Sequence, residues 1–133
     1  MKRILVAFDG GEPATHALHN AIDLAKKFGG EIGVVSVIPF HPSRFPVDPW
    51  DDRDVHTREL ADARDILREE GMTAEFIEPY GDPARTIERI VEEGGYDTVI
   101  VGSRGLGPIS RFFRGSVSEH VATHTEATVV IAR

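Results

Sequence analysis

Short, solid apolar runs alternating with amphipathic stretches predict an α/β fold, a parallel sheet covered by helices on both faces. Two observations carry this. Ile4–Phe8 and Thr98–Val101 are continuous apolar runs bounded by turn residues, the pattern of strands buried on both sides. Between such runs, apolar residues recur at helical spacing, as Ala14, Ala17, Leu18, Ala21, Ile22, Ala25 and Phe28 do. No internal repeat or low-complexity tract competes with this reading. At 133 residues the chain suits one domain, residues 1–133, with a single layered core.

Each element follows from local chemistry. The first strand, Ile4–Phe8, stops at Asp9-Gly10-Gly11. The first helix tolerates Pro13 in its opening turn and ends at Gly29-Gly30. A second strand, Ile32–Ile38, is interrupted by Gly33 and Ser36. The segment Pro39–Asp52 holds four of the eight prolines and the sole tryptophan, Trp50, which forbids regular helix and favours an extended connection. Val55–Glu70 reads as a helix with Leu60, Ala63 and Leu67 inward and Gly71 closing it. Thr73–Ile77 is a third strand. Asp82-Pro83 combines a capping carboxylate with proline at the first helical position, starting a helix that buries Ile87, Ile90 and Val91 and ends at Gly94-Gly95. Thr98–Val101 is the fourth strand, Ser116 to about His124 a short helix, and Thr128–Ala132 the fifth strand.

Charge narrows the function. A net charge of −7 argues against a general nucleic-acid binder, which needs a basic footprint to displace counterions. Residues 101–118 nevertheless carry +3 through Arg104, Arg111 and Arg114, with no acid, leaving −10 on the rest. That asymmetry favours a local anion site. The absence of cysteine removes disulfides, thiol catalysis and thiolate metal sites. The opening residues lack the long apolar stretch and cleavage site of a secretory signal, and no segment reaches the ~20 apolar residues that span a bilayer. A cytoplasmic protein without a membrane partner is the expectation.

The segment after the fourth strand is the chief candidate site. Gly102 and Gly105 bracket Arg104, and Gly115 precedes the last helix. Glycines let backbone approach a ligand closely, and a helix start offers unpaired N–H groups to an anion. The spacing matches neither the P-loop nor the dinucleotide fingerprint, and a purely structural turn stays open as the alternative. Ser116-Val117-Ser118-Glu119 also fits a capping box, which would commit the Ser116 hydroxyl to the helix and leave Ser118 less engaged. Asp9 suits a ribose hydroxyl or a magnesium ion, and equally a turn before Gly10-Gly11. In an open sheet, ligands bind beyond the carboxyl ends of the strands, so Asp9, the proline-rich segment and the glycine loop could meet at one rim.

His120 and His124, four apart, could share a metal. Ala122 and Thr123 lie between them, no glutamate directly follows the first histidine as a zinc-protease motif requires, and spacing reveals no third ligand. Two surface histidines is the preferred reading. No nucleophile elbow or triad emerges, so no catalytic residue and no metal ligand is assigned.

With those residues in place, the chain resembles the universal stress protein family along its whole length. The family signature, Gly-x-x-Gly, nine residues, then Gly-Ser or Gly-Thr, is met by Gly102-Ser103-Arg104-Gly105 and Gly115-Ser116. The opening Ile4–Gly10 is similar to the family's first strand and its acidic end. The resemblance implies a doubly wound five-stranded parallel sheet ordered 3-2-1-4-5, with ATP, accompanied by Mg2+, at the strand ends. Carried over by residue, it sets Ala7 and Asp9 against ribose or adenine, and Val37 against adenine through its backbone. Gly102, Arg104 and Gly105 would run along ribose and phosphates, and Gly115, Ser116, Val117 and Ser118 would hold the phosphates. It implies a homodimer through the last strand, Ala127 to Arg133. Two departures stand out: Gly11 where many members have serine, and Thr128 where members often have proline.

The expectation is therefore an ATP-binding regulator of the stress response with at most slow hydrolysis. An ATPase or nucleotide-dependent transferase and a nucleotide-free interaction module are the alternatives. The Pro39–Asp52 segment is expected to fold over the adenine.

Overall fold

Five strands, β1 (Arg3–Ala7), β2 (Glu31–Val35), β3 (Ala74–Ile77), β4 (Thr98–Gly102) and β5 (Thr128–Ala132), alternate with helices. The helices among the described residues are α1 (Glu12–Phe28), α2 (Arg53–Glu69), α3 (Pro83–Gly94) and α4 (Ser118–His124). The computed structural model describes residues 1–8, 12–38, 53–102 and 117–132. All strands pair parallel, in the order β3-β2-β1-β4-β5. This is the order that the family resemblance implied.

The apolar runs are strands because each side chain has a core to enter. Ile4, Val6 and Phe8 point to one face with Ile32, Val34 and Ile100, beneath α1 and α2. Leu5 and Ala7 point to the other with Val35, Val99 and Val101, beneath α3 and α4. Alternation with period two thus fills two cores from one continuous run. Full burial of each Val, Leu or Ile side chain contributes roughly 1.5–3 kcal/mol, which makes the sheet interior the main source of stability.

Helix α1 lies across β1 and β4 and buries Ala14, Ala17, Leu18, Ala21, Ile22 and Ala25. Phe28 departs from the expected stripe: it is 53% exposed, with the Lys27 ammonium 5.9 Å from its ring. It occupies the last turn, where the chain already swings through Gly29 at φ +70° towards β2. In α2, Leu60, Ala63 and Leu67 are buried as expected. Helix α3 begins as its sequence predicts: the Asp82 carboxylate accepts from the Arg85 N–H at 3.1 Å, and Pro83 follows it. Its inward residues are Ile87 and Val91, with Ile90 half-buried.

Contrary to expectation, Gly33 does not interrupt β2, which pairs through it with Leu5 on one side and Glu75 on the other. A Cβ there would collide with the Tyr96 ring, lying 2.7 Å from Cζ and 2.9 Å from Cε1. The bare backbone lets that ring cross β2, so its hydroxyl approaches the Glu75 carboxylate of β3 at 3.4 Å. Burial foremost, then the Glu75 charge, raises the Tyr96 pKa, keeping the phenol neutral. Arg3 stacks over the same ring at 4.8 Å and pairs with Glu31.

At the amino ends of the strands, Asp97 fastens β1 to β4. Its carboxylate accepts from the Lys2 N–H at 2.8 Å, the Arg3 N–H at 3.1 Å and the Thr98 hydroxyl at 2.7 Å. Desolvation would raise its pKa, but these hydrogen bonds, led by Thr98, outweigh it and hold the pKa below the ordinary 3.8.

Candidate functional site

Strand order reverses between β1 and β4, opening a crevice at their carboxyl ends. From β1 the chain goes to α1 on one face, whereas α4, the next helix described after β4, covers the other. The register sets Ala7 opposite both Val35 and Val101, and Gly102 opposite Ala132. Two of the sequence candidates, Ala7 and Gly102, therefore lie at the mouth of this crevice.

Val37 lies two residues beyond β2, and the intervening backbone explains why. After Val35 the chain stays with the β3 side: the Ser36 N–H donates to Ile77 O at 3.0 Å and the Ile38 N–H to Pro79 O at 2.8 Å. Strand two is consequently shorter than the expected Ile32–Ile38, with Ile38 continuing only as an isolated bridge to Tyr80. Alternation then turns the Val37 N–H and C=O the opposite way, towards the crevice. Its side chain is buried in the core cluster beneath α3 and α4.

Val117 and Ser118 approach from α4. Both are buried. The described helix runs Ser118–His124, with Val117 in helical conformation before it and no side-chain capping hydrogen bond from Val117. Asp9, Arg104, Gly105, Gly115 and Ser116 lie outside the described residues, as does the Pro39–Asp52 segment. Of the sequence candidates, the structure describes Ala7, Val37, Gly102, Val117 and Ser118.

A cleft of about 440 Å³ bordered by Arg3, Glu31, Glu75 and Tyr96 sits at the opposite, amino end of the sheet. Its charged groups already pair with one another across the strands, and we assign it no role in ligand binding.

The two histidines of α4 do not both lie on the surface. His120 is 22% exposed, and its Nε2 is 3.3 Å from Glu88 Oε2 of α3. Glu88 supplies the third polar group that spacing could not reveal, because it belongs to a different helix. The imidazoles of His120 and His124 stack with centroids 4.0 Å apart, and the His124 Nδ1–H donates to the His120 carbonyl at 2.8 Å.

A doubly wound parallel sheet whose fourth strand ends in glycine at the switch point defines an open α/β protein. Comparison makes the class particular. The sequence model of the universal stress protein family matches residues 1–133, and the chain belongs to that family. The chain is similar to universal stress protein YxiE of Bacillus subtilis, 29% identical, with 98% of each chain covered. Among solved structures it is similar to a universal stress protein family member from Burkholderia pseudomallei. That likeness has a TM-score of 0.74 and 27% identity, covering 98% of this chain and 94% of that one. The same fold occurs in the universal stress protein from Archaeoglobus fulgidus in complex with dAMP. The TM-score there is 0.66 at 24% identity, covering 100% of this chain and 98% of that one.

Proposed function

We propose that this protein binds an adenine nucleotide, ATP with Mg2+, at the carboxyl ends of β1, β2 and β4. In this reading it works as a homodimeric, cytoplasmic regulator in the stress response. The observation that carries the site is that β4 ends at Gly102, the first glycine of the spaced signature, directly at the switch point. The dAMP complex of the Archaeoglobus relative supports an adenine ligand on this fold.

The described residues fit the adenosine half. Ala7 and Gly102 leave room for a flat ring system, and the Val37 backbone offers a donor and an acceptor to a base edge. Asp9, one residue past Phe8, is suited to a ribose hydroxyl. Arg104, Gly105, Gly115, Ser116, Val117 and Ser118 would take the phosphates by backbone N–H groups, hydroxyls and guanidinium charge. Mg2+ bound with ATP would neutralise part of the phosphate charge. The dimer would form through the last strand, Ala127 to Arg133, because β5 is an edge strand and Ile131 on it is 49% exposed.

Calorimetry with purified protein tests the site. Gly115→Val puts a side chain where phosphate should lie, and is expected to lower ATP affinity at least tenfold, about 1.4 kcal/mol. Unchanged affinity sinks the assignment. Titration with ATP, AMP and cyclic AMP in parallel ranks the phosphate contribution, and turnover above about 1 per second would instead make the protein an ATPase.

A further inference from the structure

We propose that Glu88, His120 and His124 form a binding site for a borderline divalent transition cation, Zn2+ foremost, that fastens α4 to α3. The site stands at the seam of two helices already joined by apolar packing. Ile87 and Val91 of α3 share a core cluster with Val117 and Val121 around α4. Glu88 follows Ile87 and His120 precedes Val121, so both polar groups emerge at the edge of that cluster.

The distances suit a small cation. One donor atom from each of the three residues lies within 4.8 Å of the other two. Zinc bonds of about 2.0–2.2 Å in tetrahedral geometry set any two ligands ~3.3 Å apart. His120 Nε2 and Glu88 Oε2 stand at that separation, 3.3 Å. His124 must close the remaining gap, and an exposed side chain can do so by turning about its side-chain bonds.

The hydrogen bonding of His124 is equally apt. A carbonyl oxygen can only accept, so the contact with His120 O at 2.8 Å fixes the proton on Nδ1 and leaves the Nε2 lone pair open. An imidazole whose second nitrogen donates to a carbonyl is the arrangement that orients metal-bound histidine. Two imidazoles and one carboxylate favour zinc, copper or nickel over magnesium or calcium. With His124 exposed, and Glu88 and His120 half-buried, a fourth position remains for water.

The test uses the full chain, stripped with a chelator, free of nucleotide, and titrated with ZnCl2 alone. We expect one Zn2+ per chain by calorimetry and a rise in Tm on binding. Glu88→Gln and His124→Ala should each weaken binding at least tenfold and reduce the Tm rise. Neither side chain is fully buried, and circular dichroism of the metal-free variants verifies that they fold. A His16→Ala/His19→Ala variant removes the other closely spaced pair, both exposed on α1, and should bind as the parent does. Absence of zinc binding overturns the proposal. So does loss in the His16/His19 variant, or unchanged affinity in Glu88→Gln. Displacement of Zn2+ by a modest excess of Mg2+ overturns the assigned metal class.

Discussion

The two edges of the sheet are built from opposite chemistry. At β3, Glu75 is exposed, receives the Tyr96 hydroxyl and lies 4.0 Å from the Arg3 guanidinium, while Arg64 stacks over Phe76 at 4.5 Å. At β5 the residues are Thr128, Val129, Val130, Ile131 and Ala132, with no charge among them. Charged side chains discourage an edge from pairing with another chain, whereas a short apolar edge invites it. The contrast teaches that one edge of this sheet is guarded and the other is left available for a partner strand.

The sharpest way to break this comparison is Ile131→Pro. The Thr128 N–H donates to Asp97 O, so Thr128, Val130 and Ala132 face β4, while Val129 and Ile131 turn their backbone groups outward. Proline at 131 therefore removes an outward donor and spares the ladder with β4. Light scattering should show the dimer mass fall to the monomer with the fold retained. A monomeric parent protein, or an unaffected dimer in the variant, refutes the pairing role of β5. The counterpart, Glu75→Val, should leave stability within about 1 kcal/mol and raise self-association through β3.

Gly33→Ala tests how the guarded edge is held. The added methyl must displace Tyr96, the bridge to Glu75, at a cost of about 1–3 kcal/mol in urea unfolding. Tyr96→Leu in the same chain should recover part of that loss; additive costs would show that the two positions do not touch.

The smallest effect concerns Asp97, whose carbonyl starts β5 and whose carboxylate fastens β1. Its pKa is lowered on folding, so its contribution is present above 3.8 and is lost as pH falls below that value towards the folded pKa. The carboxylate is 45% exposed, so we expect Asp97→Asn to cost only roughly 1 kcal/mol at neutral pH. The gap from the parent should close under acid. A gap that persists at pH 2 would point to lost packing rather than lost charge.

Much of the fold was legible because each strand carries its own apolar run and each helix its own boundary residues. Ile4–Phe8 and Thr98–Val101 read as doubly buried strands, and Asp82-Pro83 reads as a helix start. Phe28 misled because periodicity says which side a residue takes, not whether the sheet extends beneath it. Val37 and Gly102 lie at the carboxyl ends of their strands, and their ligand roles, like the anion reading of Arg104, Gly105, Gly115 and Ser116, rest on the sequence and the family resemblance. Tyr96 over Gly33 and Glu88 beside His120 were not legible. Each contact joins elements far apart in the chain, and no local rule encodes a meeting that only the completed fold brings about.

The central position of β1 also has a consequence for synthesis. Ile4 pairs with Ile32 on one side and Thr98 on the other. A growing chain can assemble β1, β2 and β3 under α1 and α2 once Ile77 has emerged. Leu5 and Ala7 then have no helical cover, and β1 has an unpaired side, until α3, β4 and α4 are made. Native closure therefore waits until α3, β4 and α4 have been made, and chains stalled before β4 leave one side of β1 exposed.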